Sequence, residues 1–98
     1  MKRPASIARE HAETLAITAL SFLAEEPERL GVFLSLSGIG PEAVRDAARE
    51  PEFLAGVLDH ILGDETLLLA FAEAAGLDPA DIARARHALG GVWESDVP

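Results

Sequence analysis

Four residues gathered round one helix junction, Asp59, His60, Asp64 and Glu65 in the stretch DHILGDE, have side chains that can hold a divalent cation or move a proton. The same residues are what a helix end and the start of the next helix need: an acid to cap and a solvated polar flank. The other two histidines, His11 and His87, fall in different expected helices. None of the three stands four residues from another, so the sequence holds no helical metal pair. Ser6, Ser21, Ser35 and Ser37 have no His or Lys beside them at nucleophile–base spacing, and no phosphate loop of Walker type occurs. No catalytic, cofactor-binding or metal-ligating residue is singled out, and no cofactor is expected. A metal-dependent enzyme or accessory at Asp59, His60, Asp64 and Glu65 stands as an alternative function.

The stretch SLSGIGPEAVRDAA offers a second chemistry. A turn of glycine, apolar residue and glycine, followed by a helix N-terminus, is how helix-hairpin-helix modules bring backbone N–H groups to a phosphate. Here Glu42 and Asp46 flank the place a phosphate would take, and Val44 stands where such modules usually have a small residue. A sister turn, GLDP, has Asp78 in place of the second glycine. What the two turns share is a helix-ending Gly, an apolar Ile39 or Leu77, and a Pro that opens the next helix. That is a Schellman-type stop, and no nucleic acid is expected as a partner. A nucleic-acid-binding module acting through SGIGPEAV remains the first alternative to the main reading.

The elements that would position these residues follow from composition and punctuation. The chain of 98 residues is 49% hydrophobic, enough for one helical domain with one core, expected to span 1–98 with flexible ends at 1–4 and 94–98. It has no cysteine, which excludes disulfides and thiolate chemistry by inventory and leaves the fold to packing. Seventeen acids against eight bases give a net charge of −9. The bases, Lys2, Arg3, Arg9, Arg29, Arg45, Arg49, Arg84 and Arg86, form no patch that would attract phosphate. The longest uncharged run, Leu30 to Pro41, is too short for the roughly 20 residues that span a bilayer. MKRP leads into ASIAREHAE, which lacks the apolar centre of a signal peptide. No membrane partner and a cytoplasmic location are expected.

Pro4, Pro27, Pro41, Pro51 and Pro79 each precede an apolar-periodic segment, the place where a helix has no use for the missing N–H. Gly63 and Asp64 mark a sixth start, and Asp78 with Asp81 signals the last helix most strongly. The expected helices cover about 5–25, 28–36, 41–49, 51–62, 64–75 and 79–89, with no strand. The fold class is all-α, a compact bundle of five or six helices. Its expected core comprises Leu15, Leu20, Phe22, Leu23, Leu30, Phe33, Phe53, Val57, Leu58, Ile61, Leu68, Phe71, Ile82 and Leu89.

An internal repeat underlies this order. An offset of 38 residues, from Phe33 to Phe71, also sets Leu20 on Leu58, Leu23 on Ile61, Leu30 on Leu68, Gly38 on Gly76, Pro41 on Pro79 and Ala47 on Ala85. Two copies of a helix–helix–turn–helix unit, packed about a pseudo-twofold axis, would produce this pattern in a closed bundle.

From AETLA through EEPERL, the two glycine–proline turns, DETLLLAF and GLDP, the chain resembles a family of short bacterial proteins known as a domain of unknown function. The likeness runs from Ala12 to Gly91. It implies a small α-helical bacterial protein and carries no activity, cofactor or site residue.

The functional expectation is a non-enzymatic module that binds another protein or a second copy of itself as a homodimer. Ile7, Ile17, Leu20 and Leu23 cannot all face one neighbour, and Leu67, Leu68 and Leu69 are consecutive. Trp93, beyond Gly90 and Gly91, either folds back on the bundle or anchors a partner, and folding back is favoured.

Overall fold

The computed structural model describes residues 4–90, with side chains from Arg9 onward. Six α-helices and one 3₁₀ turn make up this part of the chain: α1 (Pro4–Ala24), α2 (Pro27–Ser37), the 3₁₀ turn (Pro41–Ala43), α3 (Val44–Ala47), α4 (Pro51–Leu62), α5 (Glu65–Ala75) and α6 (Pro79–Leu89). The all-α bundle expected from the sequence is what forms. Proline opens every helix but α3 and α5, and Asp64 caps α5 by accepting the Leu67 N–H at 3.2 Å. At α6 the cap is reciprocal. Asp78 Oδ1 accepts the Ala80 N–H at 2.9 Å while Asp81 Oδ2 accepts the Asp78 N–H at 3.1 Å.

One helix is shorter than its sequence suggests. The span 41–49 becomes the 3₁₀ turn and then a single α-helical turn, after which Arg49 and Glu50 close onto Asp46 and Ala47 with three-residue bonds. The cause is Pro51. Its ring bars the helical region to the residue before it, and Glu50 is extended at φ −95°, ψ 125°. The chain therefore leaves α3 after one turn and enters α4 directly.

α1 is the central element and packs against α6, α4 and α2, while α4 packs in turn against α6 and α5. Its buried face is Ala12, Leu15, Ala16, Ala19, Leu20 and Leu23. Alanine at half of these positions lets neighbouring backbones come close. Around that face Phe33, Leu34, Phe53, Leu54, Val57, Leu58, Ile61, Phe71, Ile82 and Leu89 complete one continuous core. Phe22, Leu30 and Leu68, expected inside, pack on its edge and stay partly exposed because they sit at the seam between helices rather than beneath them. Among the described residues no polar or charged side chain is buried.

The 38-residue offset governs the elements as well as the letters. α1 and α4 end at Ala24 and Leu62, α2 and α5 both run eleven residues from matching starts, and Pro41 and Pro79 open the segments that follow. The two turns are alike in detail. Gly38 (φ 76°) and Gly76 (φ 69°) are left-handed, and the next residue donates its N–H five residues back, Ile39 to Leu34 at 3.3 Å and Leu77 to Ala72 at 2.8 Å. Two ring contacts relate the units reciprocally. Phe22 of α1 meets Phe71 of α5 at 5.3 Å, and His60 of α4 meets Phe33 of α2 at 5.2 Å. Phe22 and His60 are matched by the offset, and so are Phe33 and Phe71. The offset thus exchanges the two ring pairs, as a two-fold relation between the units requires.

Two expectations follow for stability. Leu20→Ala and Phe71→Ala, at positions 9% and 1% exposed, each cost roughly 2–5 kcal/mol, read as a lowered urea midpoint. Leu36→Ala, at a position 75% exposed, moves that midpoint little. Asp78→Ala removes a side-chain cap and costs about 0.5–2 kcal/mol in thermal melts. Glu50→Ala, at a helix start whose side chain makes no capping bond, costs less.

Candidate functional site

The residues that carried chemistry in the sequence separate into different duties. Asp59 is on α4 and accepts a 2.7 Å bond from Arg86 Nε of α6, a pair that holds those two helices together. His60, one residue on, lies half-buried with its ring against Phe33. Asp64 is spent on the α5 cap, and Glu65 is exposed in that helix's first turn. His11 and His87 are exposed on α1 and α6. Among the described residues no three of His, Cys, Asp or Glu are grouped to hold a metal ion.

In the turn SGIGPEAV the N–H groups of Gly38 and Ile39 are both given to the Leu34 carbonyl. Gly40 has an ordinary negative φ of −78°, and a Cβ built on it would fall 2.6 Å from Glu42 Oε2. The Glu42 carboxylate therefore lies over this glycine, where an incoming phosphate would meet negative charge.

An opening lies beside that turn. Between α2, α3 and α4 is a groove of about 720 Å³. Phe33, Phe53 and His60 form its aromatic floor, with Phe33 and Phe53 edge to face at 5.6 Å. Ile39, Ala47 and Leu36 add apolar wall, and Glu50, Glu52 and Asp59 stand at its margin. Leu36 is 75% exposed and Val32, one turn earlier on α2, 55%. Val32 and His60 also line a smaller cleft with Arg29 and Leu67, so the apolar surface continues past His60.

The offset explains how this groove arises. Phe33, Leu36, Ser37, Gly56, Asp59 and His60 correspond to Phe71, Ala74, Ala75, Thr18, Ser21 and Phe22, and those six line a crevice of about 160 Å³ between α5 and α1. The fold builds one crevice twice. In one copy Phe22 and Thr18 occupy it; in the other His60 and Gly56 leave it open, and the stunted α3 gives it a further wall. Sequence reading pointed to His60 as a titratable group rather than as groove floor, and overlooked Leu36, Phe53 and Gly56 as one surface. The signal available was the repeat itself, since Gly56 and Leu36 break the match where Thr18 and Ala74 stand.

Of the apolar residues expected to lack cover, Ile17 and Leu69 are about half exposed, Leu67 is buried and Leu68 lies between. The Ile7 side chain and Trp93 fall outside the described residues, as do the ends 1–3 and 94–98; Pro4 opens α1. Among the described residues no helix is long and apolar enough to cross a membrane. No curated protein and no solved structure matches the chain. Over residues 9–92 the sequence matches the family described as Protein of unknown function (DUF3572), and the chain belongs to that family.

Proposed function

We propose that the protein is a non-enzymatic interaction module that binds an apolar segment of another protein in the groove between α2, α3 and α4. One observation carries the reading: an aromatic-floored groove of about 720 Å³ beside a leucine left 75% exposed, in a bundle whose matching crevice measures about 160 Å³. Exposed apolar surface of this kind is expensive to keep in water unless something covers it. The margin acids Glu50, Glu52 and Asp59, on a chain of net charge −9, favour a segment with basic residues beside its apolar side chains. The absence of cysteine suits a reducing bacterial cytoplasm as the place of action.

Affinity capture from native extract, run in parallel with the wild-type chain, Leu36→Glu and Leu69→Glu, tests this. A protein retained by wild type and Leu69→Glu and lost with Leu36→Glu is the expected result. Equal capture by all three removes the groove from the account. If the captured protein is the chain itself, sedimentation over a wide concentration range shows a dimer that Leu36→Glu dissociates. At moderate salt the protein is expected to bind neither DNA nor RNA, and tight binding that falls steeply with salt transfers the function to the SGIGPEAV turn. Zinc, magnesium and calcium are expected to leave the melting temperature in place. A saturable rise abolished by His60→Ala would instead support a metal site.

A further inference from the structure

We infer that the segment this groove receives is a helix: an amphipathic stretch of about three turns, its apolar stripe laid on Phe33 and Phe53 and its lysines or arginines set on the one flank that faces Glu52 and Asp59 of α4. This rests on the reading of the groove as a docking surface and names the kind of segment that fits it.

The walls decide the conformation. Helices α2 and α4 frame the groove, the N–H groups of Gly38 and Ile39 at the turn beyond α2 are given to the Leu34 carbonyl, and among the described residues there is no strand whose edge could be extended. An extended segment would lay its own N–H and C=O groups on the rings of Phe33 and Phe53 without partners, whereas a helix satisfies them within itself. From Glu50 to His60 the α4 side of the groove is about 15 Å long at about 1.5 Å per residue, the length of about three turns of a second helix. In the other half of the molecule a helix covers the matching place. Ala47, at the end of α3, is matched by Ala85, and α6 runs on past that residue to Leu89, with Ala85 and Leu89 both buried as it packs on α1 and α4. The match of Leu89 is Pro51, which already belongs to α4, so α3 has no such continuation and Ala47 lines the groove. An incoming helix supplies the cover that α6 gives its own half.

The two sides of the groove differ in chemistry, and that difference orients the segment. Leu36 of α2 walls it, 75% exposed, with Val32 one turn earlier at 55%. On α4, Glu52, Gly56 and Asp59 follow one another at i, i+4 and i+7, a single stripe with an acid at each end. The Asp59 side chain is 56% exposed even with Oδ1 on Arg86 Nε. The flank of the segment toward α2 is therefore apolar and the flank toward α4 basic. Glu52 and Asp59 stand about 10 Å apart along α4, which residues about seven apart on a second helix match. Glu50, at one end of the groove, has the same sign. The net charge of −9 on the chain favours such a basic partner over a second copy.

Two labelled peptides of one composition, each about twelve residues long, probe this by fluorescence anisotropy against the full-length chain. In the first, leucines recur at helical spacing and lysines stand about seven residues apart on one flank; in the second the same residues alternate apolar and polar as in a strand. The first is expected to bind saturably and to turn helical in circular dichroism, and Leu36→Glu and Glu52→Lys should each weaken it about tenfold or more. Leu69→Glu on α5, exposed but outside the groove, should leave its affinity unchanged. Replacing the flank lysines by glutamate should reverse the preference between wild type and Glu52→Lys. Circular dichroism of each variant checks that it folds. Binding of the first peptide that neither groove variant weakens overturns the inference, and so does no binding at all. If the alternating peptide binds as tightly and depends on Leu36, the helix is overturned and the docking reading stands. That reading also stands, without the helix, if both peptides fail while Leu36→Glu still abolishes capture of a partner from native extract.

Discussion

The fold depends on how closely helices can approach α1. Its buried face alternates Leu15, Leu20 and Leu23 with Ala12, Ala16 and Ala19, and the alanines are wholly inaccessible. A helix lined by small residues lets a neighbour's side chains reach its backbone, so the short helices around it bury much apolar area per residue. In a chain this size there is little spare core. Enlarging any of these alanines would force the neighbours outward, and overpacked cores repack at a cost of about 1–3 kcal/mol.

Around that centre the same unit is laid down twice, and the differences between copies are where the molecule departs from what packing asks. Second-unit α6 runs three turns and buries Ile82, Ala85 and Leu89. First-unit α3 makes one turn, and its counterparts Val44 and Ala47 are only partly covered. Pro51 decides this. It starts α4 where a longer α3 would have continued, so the chain gains a core helix by giving up a peripheral one.

Much of this was legible in the letters because proline, glycine and capping acids act locally. Pro27, Pro51 and Pro79 mark the observed first residues of α2, α4 and α6, and Asp64 and Asp78 cap as read. Such signals need no knowledge of the rest of the chain. What was illegible depends on tertiary placement. Ala12, Ala16 and Ala19 carry almost no hydrophobic signal individually, yet they are as fully buried as Leu23, because burial there is decided by what approaches. Phe22 satisfies the apolar period of α1 but ends at a seam against Phe71, with the Arg29 guanidinium 4.9 Å above its ring. The span 41–49 shows a local conflict: its apolar spacing suits a helix, and the pre-proline restriction at its end wins. The groove was hidden for the same reason, since its walls come from three segments that meet only in the folded chain.

The repeat makes the groove more than a surface accident. A crevice forced by the architecture would be equally open in both units, because the helices that frame it end at matching residues and their aromatic pairs have nearly the same separation, 5.3 and 5.2 Å. Narrowing it takes ordinary residues, as Thr18 and Phe22 show in the other setting. The open crevice instead has Gly56 inside α4, His60 in place of phenylalanine, and Leu36 of α2 turned to solvent. Glycine costs about 1 kcal/mol against alanine in a helix interior, and exposed leucine forgoes the burial that stabilises the rest of the bundle. Each choice runs against stability, and all three fall in the same crevice. Stability alone therefore does not account for these three residues, whereas occupation of the groove, as proposed, would.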